Sequence, residues 1–387
     1  MARYGRVLQS RRQQPLRVIA PCYELAASGY YRVLLPLKVL LDRGAIEAVW
    51  KGMLPCKPGE KPERGSRLAN LMAQLLNWAN VYFLEREERE NLIPILEKAK
   101  RLGKAIVMDI DDHVVAFPDI PQRQVSDFWK ERVPYFLKIL QQVDLLITTT
   151  DRLARSYKEY LGDGAETVSI PNFIDTRHPR WQVQPSEKTD GTITIGWMGG
   201  PTHIDDLELL REPLSIILNR YPKAVFKCVG LIPEWLDSLP SGQVVRSEGY
   251  SGLADYPKRF ADFDIGLIPL TDNEFNRKGK SALKYLEYSM FGIASVVSKV
   301  PAYWGAVSRK RGFLTPNTTE DWIKSIETLI TREALRKSLG NAAKDYVLKQ
   351  RSIDGNAYRW AAAFEQARRI RRSRNQILVP ALEGVAI

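Results

Sequence analysis

Three cysteines in 387 residues (Cys22, Cys56 and Cys228) are too few and too scattered for a disulfide framework or a zinc spacing. Histidine is equally scarce. His113, His178 and His203 are the whole set, which argues against a His-based metal site and leaves three candidates for imidazole chemistry. No apolar run approaches the roughly 20 residues that span a bilayer, and no secretory apolar segment follows Met1. The expectation is a soluble, cytoplasmic chain without a transmembrane segment. The sequence also lacks a GxGxxG fingerprint, a short repeat and any low-complexity segment. A hydrophobic content of 44% is ample for two cores, and the length favours two domains over one.

Acidic residues are missing where basic ones concentrate. Residues 1–20 carry five Arg and no acid, and residues 351–387 carry seven Arg against Asp354, Glu365 and Glu383. These ends hold most of the net charge of +12. Basic ends suit an anionic partner such as nucleic acid or an acidic membrane surface; a solubilising tail reads the same way. The N-terminal run is too short and too weakly amphipathic for a transit peptide. Two further stretches bear on membranes. The polar face of 67–78 is mostly Asn70, Gln74 and Asn77, and 124–140 has Lys130, Arg132 and Lys138 but is interrupted by Pro134. Neither reads as a cationic membrane helix.

Short apolar, β-branched runs alternate with helical patterns. Strands are expected at 16–22, 45–50, 81–86, 104–110, 143–149 and 167–171, then at 192–197, 224–229, 244–248, 265–270 and 293–297. Helices are expected near 30–43, 67–78, 87–102, 124–142, 151–161, 204–220, 255–262, 281–291, 319–350 and 355–373. Such alternation predicts parallel strands with helical crossovers. The pattern restarts after a polar segment at 176–190. The fold class is therefore α/β, with two Rossmann-like domains facing across a cleft and a C-terminal helix. The first domain is assigned to 1–178, completed by 352–387, and the second to 185–351.

Candidate chemistry lies at strand ends. The stretch 277–298, RKGKSALKYLEYSMFGIASVVS, reads as a basic loop entering a helix that stops at Gly292. Lys280, Lys284 and Glu287 fall at i, i+4 and i+7, on one helix face. A helix N-terminus with two lysines and Ser281 suits a diphosphate, and a carboxylate one turn on suits ribose hydroxyls. Taken alone, the same face also reads as solvated, with a Lys284–Glu287 pair. The second motif is IGWMGGPTHIDDL, 195–207. Gly199 and Gly200 permit close backbone approach, Thr202 reads as an N-cap with Asp205 in capping-box position, and His203 lies where it can meet a phosphate or oxyanion. A plain helix cap with a surface His fits equally.

Three weaker motifs follow. Ser28 and Gly29 form a small-residue loop before Tyr30, Tyr31 and Arg32. Asp109, Asp111 and Asp112 cluster in VMDIDDHVVAFP. Asp109-Ile110-Asp111 matches a DxD cation site; the alternative, preferred because Lys280 and Lys284 already neutralise phosphate, is a metal-free cluster that positions a loop, binds acceptor hydroxyls or acts as a base. Gly249 and Tyr250 offer backbone and ring contacts to a nucleobase, whereas Tyr256, Phe260 and Phe263 read as core.

These residues resemble glycosyltransferases of the GT-B fold, specifically the large retaining family GT4, over roughly residues 15–370. GKSALKYLEYSMFGIASVV is similar to the family's signature helix, K…E-x-x-x-x-G-x-P-V-V. GWMGGPTHIDDL, SGYYRVLLPL and VMDIDDHVVAFP resemble a bacterial and phage branch. The resemblance implies that Lys280 and Lys284 face the diphosphate of a nucleotide-sugar and Glu287 its ribose. It also implies that no metal cofactor is required and that the C-terminal helix crosses back to the first domain. Asp111, Asp112 and His203 then position groups around the reacting centre. One departure is plain: the family's Glu-x7-Glu motif would place its first Glu at position 279, which is glycine here. The expected function is retaining transfer of a sugar to an acceptor hydroxyl. The acceptor is read as a hydroxymethylated base in DNA, contacted through the Arg-rich ends. A lipid-linked or surface glycan acceptor, or a non-catalytic binding module, are the alternatives.

Overall fold

The computed structural model describes residues 15–21, 27–50, 67–117, 123–183, 188, 190–249 and 252–378. Tyr250, Cys22, Cys56 and most of the Arg-rich N-terminus lie outside these residues.

Two six-stranded sheets carry the fold. The first comprises β1 (Leu16–Ala20), β2 (Ile46–Trp50), β3 (Val81–Glu85), β4 (Ala105–Ile110), β5 (Leu145–Thr148) and β6 (Glu166–Ser169), in the order β2-β1-β3-β4-β5-β6. The second comprises β7 (Ile193–Gly199), β8 (Ala224–Gly230), β9 (Val244–Ser247), β10 (Ile265–Ile268), β11 (Ala294–Ser298) and β12 (Phe313–Thr315), in the order β12-β11-β10-β7-β8-β9. Every pairing is parallel. Central strands are buried along their whole length because helices cover both faces, so they read as continuous apolar runs. Strand order reverses at β1/β3 and at β7/β10. Open α/β sheets leave a ligand crevice at such points, beyond the strands' carboxyl ends.

The C-terminal helix, Tyr358–Leu378, lies on the first sheet. Phe364 meets Phe83 at 4.9 Å between ring centres, and Arg371 and Arg374 reach Asp144 at 2.5 and 2.8 Å. Asp144 is fully buried, so this is a buried, multiply bonded carboxylate. Two arginines expected to face an anionic partner thus fasten the helix instead. Trp181 against Phe291 (5.9 Å) continues the core between the halves.

The structure departs from the sequence reading in several places. Strand β12 is a twelfth, three-residue strand too short to show a pattern. The expected helix 319–350 is two helices, Thr319–Thr331 and Glu333–Gln350, separated at Arg332, where ψ is 75°. The expected helix 255–262 is only the 3-10 turn Tyr256–Arg259. Pro134 does not interrupt its helix, which runs unbroken from Arg123 to Leu140. Finally, the "basic loop" before the signature helix is itself helical, Glu274–Gly279. Among the described residues no helix is long and apolar enough to cross a membrane.

Candidate functional site

A cavity of about 820 Å³ opens at the carboxyl ends of β7, β8 and β10, with Asp111 and Asp112 of the first half on its opposite wall. Its floor is glycine. Gly199 ends β7, Gly200 follows with open space where a Cβ would stand, and Gly249 follows β9. Gly230 ends β8 at φ +92°, and a Cβ there would lie 2.4 Å from the Gly199 carbonyl oxygen. Only glycine fits that approach, which lets a ligand reach main-chain atoms directly. Leu231 and Ile232 make one apolar end of the cavity.

The signature helix spans Leu283–Met290, with Ala282 at its N-cap position. Lys284 and Glu287 sit on it, one turn apart. Lys280 does not. It lies at the end of the preceding helix in extended conformation (ψ 148°), and the link 280–282 turns the chain between the two helices. Helical spacing therefore failed for Lys280, yet the lysine still lines the cavity, as do Ser281, Lys284, Glu287 and His203. Lys280 Nζ bonds Asp112 Oδ1 at 3.1 Å, bridging the two halves. Lys284 Nζ stands 5.2 Å from the Trp197 ring centre, and burial draws its pKa down to about 8, with Lys280 pushing the same way against Asp206. No Lys284–Glu287 ion pair forms among the described residues.

Glu287 is 2% exposed. Its two oxygens accept from Tyr31 Oη and Tyr256 Oη, each at 3.0 Å. Arg180 donates to Tyr31 Oη (3.2 Å) and to Asp175 (2.6 Å), so the carboxylate is oriented from both halves. Burial nonetheless raises its pKa to about 7, opposed by the two tyrosine hydrogen bonds and by Arg180 and Lys284.

His203 Nδ1 is 2.7 Å from Asp206 Oδ2. Burial, reinforced by Lys284, lowers the imidazole pKa to about 4, so the ring is neutral at pH 7. Asp206 is ionised: burial works against it, but His203 and the bonds from Thr271 hold it below the usual range. Nδ1 therefore carries the proton and Nε2 is an acceptor, suited to a hydroxyl rather than to a bare phosphate. The other oxygen of Asp206 accepts from Thr271 N, Thr271 Oγ1 and Asn276 Nδ2, fixing the turn that leads into the helix Glu274–Gly279. The capping expectation is thereby corrected. Thr202 makes no cap bond, Pro201–His203 is a 3-10 turn, and Asp206 rather than Asp205 does the anchoring. Thr202 is not in the cavity wall.

On the first-half side the three aspartates part. Asp109 is fully buried and held bidentate by Arg32 (2.8 and 3.0 Å), away from the cavity. It is not disposed as half of a cation-binding pair. Burial and the neighbouring Asp112 raise the Asp111 pKa; for Asp112, Lys280 and Arg86 outweigh burial and lower it. Ser28 and Gly29 do not line the cavity, and Ser28 Oγ donates to Glu85 instead (2.7 Å). Phe260 and Phe263 are core, but Tyr256 is not merely core, since its hydroxyl serves Glu287. Gly279 has a packing reason: a Cβ there would lie 2.6 Å from the His113 backbone nitrogen.

Sequence reasoning missed Tyr31, Arg180, Asp206 and Trp197. Only Asp206 had a local signal, being three residues after His203 and so on its face of the turn. The others act across up to 256 positions.

Comparison with solved structures identifies the fold. The chain superposes on sucrose-phosphate synthase from Thermosynechococcus elongatus with a TM-score of 0.62 and 13% identity, over 92% of this chain and 99% of that one. For HepE of Anabaena in complex with UDP and glucose the TM-score is 0.61 at 12% identity, over 91% and 100%. For TarM the TM-score is 0.55 at 13% identity, over 73% of this chain and 54% of that one, so the chain spans about half of TarM's length. No protein-family model and no curated sequence matches the chain. The fold is GT-B: two Rossmann-like sheets with a cleft between them.

Proposed function

We propose that the chain is a retaining glycosyltransferase of the GT4 type, bacterial and phage branch, using a nucleotide-diphosphate sugar. The observation that carries this reading is the convergence of Lys280, Lys284, Glu287 and a glycine floor on one cavity at a strand-order reversal. Structures of the similarly folded HepE hold UDP and UDP-glucose, which supports a uridine donor. In this reading residues 1–178 with 352–387 form the acceptor-side domain and 185–351 the donor-side domain. The nucleobase lies between Leu231, Ile232 and the glycine ends. The ribose hydroxyls donate to the remaining lone pairs of Glu287, and the diphosphate meets Lys280, Lys284 and the first N–H groups of Leu283–Met290.

The anomeric carbon–phosphate oxygen bond breaks and a bond to the acceptor oxygen forms on the same face. The acceptor proton passes to the leaving phosphate. Charge accumulating on that phosphate is met by the two lysines, and aimed donors of this kind are usually the largest catalytic contribution. His203 Nε2 and Asp111 accept hydroxyls of the donor or acceptor and hold them in line. The two lysines make a divalent cofactor unnecessary. The acceptor hydroxyl belongs to a modified, hydroxymethylated base in DNA.

Lys284→Ala tests the assignment. Release of UDP from a UDP-sugar should fall at least a hundredfold while the melting temperature is retained. Near-normal turnover would sink the site.

A further inference from the structure

Two cavities outside the donor site meet at one residue pair. The first, about 420 Å³, lies between Arg152 and Arg155 of the helix Asp151–Tyr157 in the first half and Glu274, Arg277 and Lys278 of the helix Glu274–Gly279 in the second. Arg277 and Lys278 hold only exposed partners, Asp272 at 3.4 Å and Glu274 at 2.6 Å. Exposed pairs of this kind are worth little and give way to a better anion. Arg152 and Arg155 form no ion pair among the described residues. The second cavity, about 320 Å³, lies beyond the carboxyl ends of β5 and β6. Trp304 stands at its rim, 60% exposed, with the Arg152 guanidinium 5.7 Å from its ring centre. Inside are Thr149, whose buried hydroxyl has no partner, Asn172 and Ser281. Ser281, which accepts from Asn172 at 2.8 Å, also lines the donor cavity.

A row of cations from both halves, an exposed indole and a hydroxyl-lined slot one residue from the donor site form a graded path. We infer that this seam receives the acceptor as a strand of nucleic acid. Its phosphates lie on Arg152, Arg155, Arg277 and Lys278, one base stacks on Trp304, and the ring entering the slot satisfies Thr149. The inference rests on the nucleic-acid reading above and relocates that contact from the Arg-rich ends to the cleft. Arginine fits phosphate in bidentate fashion, and stacking on tryptophan tolerates any base. A polymer of phosphates without rings would leave Trp304 unused. In a duplex the base must first be extruded, so a single strand binds more tightly.

Anisotropy of a fluorescein-labelled 20-nucleotide single-stranded DNA, and of its duplex, measures this between 50 and 300 mM salt. The expected order is single strand over duplex. Trp304→Ala should weaken the single strand about tenfold to a hundredfold. Arg152→Gln with Arg155→Gln, which keeps most of the stems, should reduce the salt slope by about 1.4. UDP affinity should be unchanged in both variants, because none of these residues lines the donor cavity. Unaltered DNA affinity and slope in both variants would overturn the inference. So would an absence of DNA binding at 50 mM salt, or capture of polyglycerol phosphate or anionic vesicles in place of DNA. Failure of the parent chain to bind UDP would instead count against the donor reading and leave the DNA result standing on its own.

Discussion

Replacing Glu287 by Gln separates what the carboxylate does for the site from what it costs the fold. Burial raises its pKa from 4.5 to about 7, so the native state holds a proton that the unfolded chain has released over that window. The sign follows: the native state is penalised as pH rises above 4.5, and the penalty is complete above about 7. The full gap is worth about 3 kcal/mol, most of which develops between pH 5 and pH 8. Gln cannot ionise, and it keeps both neighbours: its oxygen accepts from one tyrosine and its amide donates to the other. For a chain of 387 residues that difference is about 3 °C in melting temperature. The variant should therefore gain about 3 °C over the parent on going from pH 5 to pH 8 while binding UDP at least tenfold more weakly, from loss of charge-assisted bonds to ribose. Melts at both pH values and calorimetric titration with UDP decide it. A difference independent of pH would refute the buried, proton-holding carboxylate; intact UDP affinity would refute its ribose role.

Two further outcomes follow from the same geometry. With its pKa drawn down to about 8, Lys284 is largely neutral at pH 8.5, and a diphosphate must restore its charge. UDP binding at pH 8.5 should take up about three-quarters of a proton, read as a dependence of the calorimetric enthalpy on buffer ionisation, and affinity should fall as pH rises further; no buffer dependence would contradict this. Gly279→Ala places a methyl 2.6 Å from the His113 nitrogen and should cost about 1–3 kcal/mol, seen as a lower melting temperature. An unchanged melt would show that the contact between the halves yields freely.

The sheets were legible because central parallel strands covered on both faces are buried along their whole length, as β3, β4, β5, β10 and β11 are. Strand β12, three residues long and partly exposed, carries too little pattern. In the site, Gly199, Gly200, Lys284 and Glu287 could be read because strand end, turn and helix follow directly in sequence. Lys280 lines the cavity without lying on the helix, and the break at 280–282 could not be read because it contains neither Pro nor a polar cap. Tyr31, Tyr256 and Arg180 were beyond reach: their roles depend on the closeness of two domains, which no local periodicity encodes. The C-terminal arginines misled for the same reason, because Asp144, the acid that holds two of them, lies 227 positions before Arg371. Of the Asp-Ile-Asp match, Asp109 is claimed by Arg32 on a separate element, a contact no local pattern encodes.

The most direct test of a metal-independent nucleotide-sugar site is a thermal-shift screen of the parent chain with UDP, GDP, ADP and their glucose conjugates in EDTA. The predicted result is a rise in melting temperature with one nucleotide and its sugar, lost in Lys284→Ala. No rise with any of them, or a rise that appears only when Mn²⁺ replaces EDTA, would contradict it.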